Sequence, residues 1–453
     1  MQRLAAFLLV LVLSGCGATG RDSSPIRIGA VFPLSSNAAS LAGPELTGVR
    51  IAADQVNADG GIGGRKIELV VRDLRSRADA PSVMHELRAS GVQLVIGAYS
   101  SDLSIAASEA ADREGLLYWE AGAVADRLTG RGLPRVFRVG ASGSNLGANS
   151  SDFAATELAS RLGKPVSRLR IGIAVADDAY ATSVADAAEA TARERGMPVV
   201  VRRSYNLAVP DWPSVMADLA AARPDVLILA SHIPDGIAFR QAMLASGLKV
   251  GALIGSTMAE CDPDFAGELG SDAIGIFASD RPTAGFQASA LSPDAAAAYA
   301  RFASDWAAAS KSSTGADGGT TGTSGGEYGD RTYGNSEYTI HGPAEDVTAE
   351  ESEEALAGYS AGWAFFRRIL PSAAASAPAL DADAVATAAR AADLPEGSLP
   401  NGAGLHFSSD PARLGQNERA AAVIWQWQAA RTYAFVWPAT YATGSIQFVP
   451  LGR

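Results

Sequence analysis

The sequence predicts an α/β protein made of two similar lobes, each built on a parallel β-sheet, and two patterns indicate this fold. Short aliphatic runs that suit buried strands alternate with segments in which apolar residues recur at helical spacing, as in parallel strands joined by crossover helices. The alternation begins twice, at residues 26–31 and 169–174, and the two opening strands have similar sequences. The length of 453 residues suits two or three domains.

The strand-like runs and helical patterns follow one another in a regular order. In the first half, strand-like runs lie at 26–32, 66–72, 93–98, 116–120 and 135–139, with helical patterns at 45–57, 80–89 and 103–114. In the second half, strand-like runs lie at 168–176, 198–203, 226–230, 250–255 and 274–278. Residues 310–350 follow neither period and are rich in small polar residues, which predicts a long surface loop or a disordered insertion. A helical period returns at 355–370.

The amino-terminal residues predict export and a lipid anchor. Residues 1–15 join the basic Arg3 to an apolar run, which is the pattern of a signal peptide. The apolar run is too short to span a bilayer, which takes about 20 residues. The tetrapeptide Leu-Ser-Gly-Cys that ends at Cys16 resembles a bacterial lipobox, which implies diacylation of Cys16 and cleavage just before it. A plain secretory signal followed by a chance cysteine is the alternative. Residues 16–25 then form the lipidated cysteine and a flexible tether.

Composition and motifs argue against several classes of function. Because 49 acidic residues outnumber 37 basic ones, a nucleic-acid partner is not expected. Four His and two widely separated Cys leave few ligands for a zinc site, so we expect neither a metal nor a cofactor. The Gly-x-Ser-x-Gly pattern at 322–326 lies in the polar insertion, away from any strand. The glycines at 60–64 follow a helix and precede a strand, the reverse of a dinucleotide-binding turn. The sequence therefore predicts a protein that is not an enzyme.

Four segments resemble one family of exported proteins. Periplasmic binding proteins of the leucine/isoleucine/valine type, which serve ABC importers, are similar to this chain at residues 57–73, 95–101, 177–180 and 423–438. The resemblance implies a type I periplasmic-binding-protein clamshell with two Rossmann-like lobes. We expect residues 26–140 with 272–400 to form the first lobe, and residues 141–271 with 401–453 to form the second. A small ligand is expected in the cleft between them, at the carboxyl ends of the parallel strands.

In the first lobe, the residues themselves indicate a site for an anionic group. The strand at 93–98 ends in Tyr99, Ser100 and Ser101, and a helix is predicted to follow. Serine hydroxyls and unpaired backbone N–H groups at the positive end of a helix dipole suit a ligand carboxylate. The resemblance implies that Ser101 holds this carboxylate, and that a backbone segment made of Ala121, Gly122 and Ala123 faces it. The alternative is that Ser100 or Ser101 only caps its own helix.

In the second lobe, the resemblance implies that Tyr180 is a ligand-binding tyrosine of the cleft. His232 follows the strand at 226–230 and is either a ligand contact or a rim residue. Asp177 and Asp178 stand at a predicted helix start, where acidic residues are ordinary dipole partners. Where amino-acid binders place a glutamate that pairs with the ligand ammonium, this chain has Thr257, with Glu260 a few residues later.

Glu120, at the end of its strand, is a candidate for the missing negative charge. A buried carboxylate that faces a cleft needs a cationic partner or a raised pKa. If a ligand amine is that partner, the ligand is an amino acid. If Glu120 instead pairs with an arginine such as Arg127, the ligand can be an amide, a urea-like compound or a small carboxylic acid.

The expected function follows from the resemblance. A lipid-anchored protein on the extracytoplasmic face of the cell membrane would capture a small ligand by hinge closure and deliver it to an ABC permease. A ligand sensor that serves a separate receptor is one alternative. An exported enzyme that uses the same cleft is the other.

Overall fold

The computed structural model describes residues 24–36, 38–256, 263–283, 285–315, 353–377, 379–430 and 432–451. The signal peptide predicted at 1–15 and Cys16 lie outside the described residues, as do 316–350 of the predicted insertion. The first part of that insertion is helical, because the helix that begins at Pro293 continues to Gly315.

Two large β-sheets organise the described chain. The first contains five parallel strands in the order β2-β1-β3-β4-β5. These strands are β1 Ile26–Phe32, β2 Ile67–Asp73, β3 Leu94–Gly97, β4 Leu117–Glu120 and β5 Val136–Arg138. Strands β3, β4 and β5 are buried along their whole length, which is why they read as continuous apolar runs and not as an alternating pattern.

The second sheet contains seven strands in the order β14-β13-β10-β9-β8-β6-β7. The five strands from β10 to β7 in this order are parallel, and β13 and β14 are antiparallel to their neighbours. These strands are β6 Ile171–Ala176, β7 Val199–Tyr205, β8 Val226–Ala230, β9 Ala252–Ser256, β10 Phe277–Asp280, β13 Val423–Ala429 and β14 Thr432–Trp437. A small third pair joins β11 Asp393–Leu394 to β12 Leu405–His406.

Helices cover the faces of both sheets. In the first half of the chain they are α1 Ala39–Ala58, α2 Ala80–Ala89, α3 Ser101–Arg113, α4 Gly143–Phe153, α5 Ala159–Arg161 and α6 Ala179–Glu194. In the second half they are α7 Trp212–Ala222, α8 Ile233–Ser246, α9 Pro263–Leu269, α10 Pro293–Gly315, α11 Glu353–Ala364, α12 Leu370–Ser376 and α13 Ala382–Arg390. Helices α1 and α11 pack backbone to backbone, because a Cβ at Gly358 would overlap the main-chain oxygen of Glu45.

The two-lobe α/β fold is confirmed, but the expected lobe boundaries need correction at two places. Strand β10 was assigned to the first lobe, within 272–400, yet Phe277 pairs with Ile254 of β9 and with Gln426 of β13 in the second sheet. A buried four-residue strand carries no sequence feature that distinguishes one parallel sheet from another.

Residues 401–422 were assigned to the second lobe, yet they pack on the first. The N–H of Arg138 donates to the Gly415 carbonyl (2.9 Å), and the Asn417 amide donates to the Val139 carbonyl (2.9 Å). The Phe407 ring lies 5.0 Å from the Phe137 ring and 5.4 Å from the Trp119 ring. Only the part from β13 onward joins the second sheet. The chain therefore passes between the lobes near residues 140, 281 and 420.

Candidate ligand-binding site

The loop after β4, which follows the candidate residue Glu120, lies where the two lobes meet. The loop after β4 reaches the second lobe, since the Gly143 N–H donates to the Val124 carbonyl (2.6 Å) and the Asp126 N–H donates to Ser183 Oγ (3.1 Å) on α6. The Asp126 carboxylate also accepts hydrogen bonds from the N–H (3.1 Å) and the hydroxyl (2.6 Å) of Ser144, in the first turn of α4. These contacts join the loop at the carboxyl end of β4 to α4 and α6 of the second lobe.

The two serines after β3 have different surroundings. Ser100 is the N-cap of α3, where its Oγ accepts the N–H of Leu103 (3.4 Å), so this serine has the helix-capping role. Ser101 is half-buried at the first position of α3, and its Oγ accepts the Ala125 N–H (3.1 Å) from the loop after β4. Among the described residues, no acceptor takes the hydroxyl proton of Ser101. This hydroxyl is thus fixed in place and still has a proton to donate.

Tyr99 connects this corner to a group of buried charges. Its φ of 74° lies in the left-handed region, where residues other than glycine are uncommon. The side chain is buried in the first lobe, and burial, together with the negative charge of Glu354, raises the pKa of its phenol well above the usual value. The backbone of Tyr99 therefore borders Ser100 and Ser101 while its phenol lies among carboxylates.

Glu120 does not have the role that the sequence suggested for it. Its carboxylate is fully buried, and Oε1 accepts the N–H groups of Ala121 (3.1 Å), Gly122 (2.9 Å) and Ala123 (2.9 Å). Its Oε2 accepts the Ala98 N–H (3.2 Å) and the Tyr118 hydroxyl (3.0 Å). Burial raises the pKa of Glu120, whereas these hydrogen bonds act to lower it.

Two expectations are therefore corrected. Both oxygens of Glu120 already accept hydrogen bonds from main-chain and tyrosine donors of their own lobe. They are therefore not the partners of a ligand amine or of Arg127. The N–H groups of Ala121, Gly122 and Ala123 point at Glu120 and not at a ligand. The sequence gives no sign of this, because a strand-ending glutamate can turn its carboxylate back under its own loop or out into a cleft.

Arg138 holds the same loop from the opposite side. This arginine ends β5 and is buried, and its Nη1 donates to the carbonyls of Ala125 (2.6 Å) and Ala123 (3.4 Å). Burial lowers the pKa of its guanidinium to about 10, against the opposing charges of Asp126 and Glu120. Because Glu120 binds the N–H groups and Arg138 binds the carbonyls, the loop is fixed before any ligand arrives.

In the second lobe, Tyr180 and His232 lie side by side at the carboxyl ends of β6 and β8. The Tyr180 ring packs against the His232 ring in an edge-to-face arrangement, with the centroids 5.0 Å apart. The Tyr180 hydroxyl lies 3.1 Å from the Ser231 carbonyl and 2.9 Å from the Ser256 carbonyl. Its proton is therefore donated to main-chain acceptors of the second lobe.

His232 is paired with Asp178. Its Nε2 lies 2.9 Å from Asp178 Oδ2, while Asp178 Oδ1 accepts the Ala181 N–H (2.8 Å) and caps α6. Burial alone would lower the pKa of His232, but the hydrogen bond and charge of Asp178, with the charges of Asp235 and Asp102, raise it. Asp102 belongs to α3 of the first lobe, so a charge from the other lobe also raises the pKa of His232. Thr257 and Glu260 lie outside the described residues.

Sequence reasoning missed Glu45 and Arg281. Glu45 lies on the apolar face of α1 between Ala42 and Val49, and both of its carboxylate oxygens are buried without a hydrogen-bond partner among the described residues. Arg281 follows β10 and donates from Nη1 to the Gly122 carbonyl (2.9 Å) and from Nε to Glu353 (2.6 Å). The signal that was available is the helical spacing, which places a carboxyl among buried apolar residues of α1.

Neither a metal nor a membrane span is found in the part of the chain that the structure describes. No three acidic, histidine or cysteine side chains there are grouped as metal ligands. No described helix has the length and apolar character that crossing a bilayer requires.

Comparison with known proteins identifies the family. The sequence model of a family described as "Periplasmic binding protein" matches residues 25–324. The chain belongs to the periplasmic binding protein family. This result confirms the resemblance seen in the sequence, and it agrees with the expectation that the protein binds a ligand and is not an enzyme. Proteins of this family act outside the cytoplasm.

Individual relatives agree with this periplasmic binding protein assignment. The Leu/Ile/Val-binding protein homolog 8 of Brucella abortus (strain 2308) is 29% identical over 425 residues, which cover 93% of each chain. An ABC transporter substrate-binding protein from Desulfitobacterium hafniense, solved in complex with Leu, has a TM-score of 0.63 at 20% identity and covers 91% of this chain and 100% of its own. A solute binding protein from R. palustris, solved in complex with benzoate, has a TM-score of 0.64 at 16% identity, with coverages of 93% and 98%. The two structures show the same fold.

Proposed function

We propose that this periplasmic binding protein is the substrate-binding lipoprotein of an ABC importer and that it captures an amino acid between its two lobes. The observation that carries this proposal is the position of Ser101. Its hydroxyl stands at the amino terminus of α3, tied to the loop after β4, where that loop meets the second lobe. A helix amino terminus with a hydroxyl that still has a proton to donate suits a carboxylate. The relative named for Leu/Ile/Val binding supports an amino acid as the ligand.

The proposed ligand site takes one part from each lobe. Ser101 and Tyr99 supply the first-lobe side, and the ring of Tyr180 with His232 supplies the second-lobe side. A ligand that touches both parts stabilises the closed form, because only differential contact shifts a conformational equilibrium. Asp126 is placed to assist closure, since its carboxylate binds the first turn of α4 in the second lobe.

The amino terminus completes the proposal. Diacylation of Cys16 would anchor the protein to the extracytoplasmic face of the cell membrane, near its permease, and the small polar residues up to 25 would leave the lobes free to turn. Expression of the full chain and of Cys16→Ser, followed by membrane fractionation, tests the anchor. The unchanged chain is expected in the membrane fraction and the variant in the soluble fraction. Equal distribution of both would contradict lipidation.

A small carboxylic acid without an amine is the second candidate ligand. The neighbour solved with benzoate has the same fold, and Ser101 would serve either carboxylate. A thermal-shift screen against amino acids, amides and small carboxylic acids separates the candidates, because a ligand that binds only the folded state raises the melting temperature. We expect at least one amino acid to give a clear shift.

Ser101→Ala and Ser100→Ala form a matched pair for the same screen. Ser101→Ala should reduce the ligand-induced shift, since it removes the donor to the carboxylate. Ser100→Ala should lower the melting temperature of the free protein by removing the helix cap, at a cost of about 1 kcal/mol, and should keep the ligand shift. If no compound shifts the unchanged protein, the amino-acid assignment fails. If Ser101→Ala binds as tightly as the unchanged protein, the proposed site fails.

A further inference from the structure

Glu45 carries a buried carboxyl group that the protein itself does not pair. Its relative exposure is 0%, and among the described residues neither oxygen has a hydrogen-bond partner. An unpaired charge in this position is strongly unfavourable, so buried carboxylates are normally hydrogen-bonded or paired with a cation. Glu120, at the same end of the lobe, shows the contrast, because its carboxylate accepts hydrogen bonds on both oxygens.

The charges around Glu45 are mostly of its own sign. Glu120 on β4 and Glu353 and Glu354 at the start of α11 all add negative potential at this carboxyl, and Arg281 is the opposing cation. The guanidinium of Arg281, however, is already bonded to Glu353 and to the Gly122 carbonyl. The neighbourhood of Glu45 therefore has an excess of negative charge, which favours an additional cation.

The position of Glu45 relates it to the candidate ligand site. Its carboxylate lies against the Cα of Gly122, so closely that a Cβ at this position would overlap an oxygen. Three residues later in the same loop, the Ala125 N–H is bonded to Ser101 Oγ (3.1 Å). Three residues of chain span at most about 11 Å, so Glu45 and Ser101 stand near the two ends of one short, rigid segment. Tyr99 lies in the same region, because it precedes the two serines and the charges of Glu45 and Arg281 act on the pKa of its phenol.

We propose that Glu45 is the partner of an ammonium group on the ligand, so that the protein selects amine-bearing carboxylates over simple carboxylic acids and amides. The ligand carboxylate binds at Ser101 and its ammonium points toward Glu45. This inference rests on the proposed binding function and assigns to Glu45 the role that the sequence suggested for Glu120. Arg281 follows directly on β10 of the second sheet and donates to the Gly122 carbonyl, so it lies beside the same loop as Glu45.

The proposal implies that binding is linked to a proton. Burial, with the negative charge of Glu120, raises the pKa of Glu45 well above its usual value, and Glu353 and Glu354 act in the same direction. Arg281 is the one lowering influence among these neighbours. An arriving ammonium group favours the ionised form of Glu45. Binding of the amine should therefore release a proton wherever the pH lies below the raised pKa.

Calorimetric titrations with L-leucine and with 4-methylpentanoic acid, which is leucine without its amine, test the proposal. The unchanged protein should prefer leucine, and Glu45→Gln should bind leucine about 10- to 100-fold more weakly while its affinity for 4-methylpentanoic acid stays the same. Asp54→Asn is the matched control, since this exposed acid lies on the same helix, and it should leave both affinities unchanged. If leucine does not bind, the amino acid that gives the largest shift in the screen replaces it, together with its own deaminated analogue.

A second measurement does not depend on the variant folding. Titration of the unchanged protein in two buffers of different ionisation enthalpy at one pH reports the protons released on binding, and we expect release with the amino acid and none with the deaminated acid. Equal affinity of the unchanged protein for both compounds, or unaltered amino-acid affinity in Glu45→Gln, would overturn the role of Glu45 and leave the binding function intact. A protein that binds no amine, amide or carboxylate overturns the binding function itself.

Discussion

Replacing Glu120 by glutamine distinguishes its structural role from a ligand-binding role. The amide oxygen of Glu120→Gln can still accept the three N–H groups of residues 121–123, but as neutral hydrogen bonds. Hydrogen bonds to charged groups contribute about 1.5–3 kcal/mol, against about 1 kcal/mol for neutral ones. The new amide nitrogen would face the Ala98 N–H, which keeps Ser104 Oγ as an acceptor (3.2 Å).

The losses for Glu120→Gln are partly offset, because the substitution also removes a buried charge. We expect a net decrease of about 2 to 3 kcal/mol in the free energy of unfolding, measured by urea denaturation at neutral pH. Glu109→Gln is the control, since this exposed glutamate pairs at the surface with Arg113 (2.6 Å) and at longer range with Arg131 (4.0 Å), and it should change stability by about 0.5 kcal/mol or less. Equal stability of the two variants, combined with loss of ligand binding in Glu120→Gln, would refute the structural role.

Two further predictions concern helix packing and the pair in the second lobe. Gly358→Ala should lower the free energy of unfolding by about 3 kcal/mol in urea denaturation, because its Cβ would overlap the Glu45 carbonyl. In the control Gly43→Ala, on α1, the new Cβ meets no atom within 4 Å, so this variant should be neutral or slightly stabilising. Equal effects of the two substitutions would contradict the close packing of α1 and α11. The pKa of His232 is higher in the folded protein than in the unfolded chain. Pairing of His232 with Asp178 therefore contributes its full stabilisation at pH values below the unfolded-state pKa of His232. This stabilisation is lost as the pH rises through the folded-state pKa. Asp178→Asn keeps a good helix cap and should lower the pKa of His232 in an NMR titration, and an unchanged pKa would refute the pairing.

Much of the fold is readable in the sequence because parallel strands buried on both faces leave strong apolar signals. The runs that became β3, β4, β6 and β8 were all predicted close to their observed positions. Prediction from the sequence is wrong where the local pattern is weak and the structure depends on contacts with residues far away in the chain. The helical pattern was placed at 45–57, yet α1 starts at Ala39 and contains Pro44. Strand β10 has no internal feature that indicates its sheet, which only its pairing with β9 and β13 decides.

The candidate site is predictable in its position but not in its detail. The serines after β3 and Tyr180 after β6 follow from the rule that ligands bind at the carboxyl ends of parallel strands. The direction of a side chain does not follow from that rule. Glu120 turns back to bind its own loop, while Glu45, which lies far from any predicted strand end, brings an unpaired carboxyl to the same place. The position of Glu45 depends on the packing of α1 against Gly122, which no local pattern specifies.

A crystal structure of the protein with a bound amino acid tests the central claim most directly. The ligand carboxylate is expected about 2.7–3.0 Å from Ser101 Oγ, at the amino terminus of α3, with the Tyr180 ring contacting the ligand from the other lobe. A ligand that touches one lobe only, or one whose carboxylate lies away from Ser101, would contradict the account.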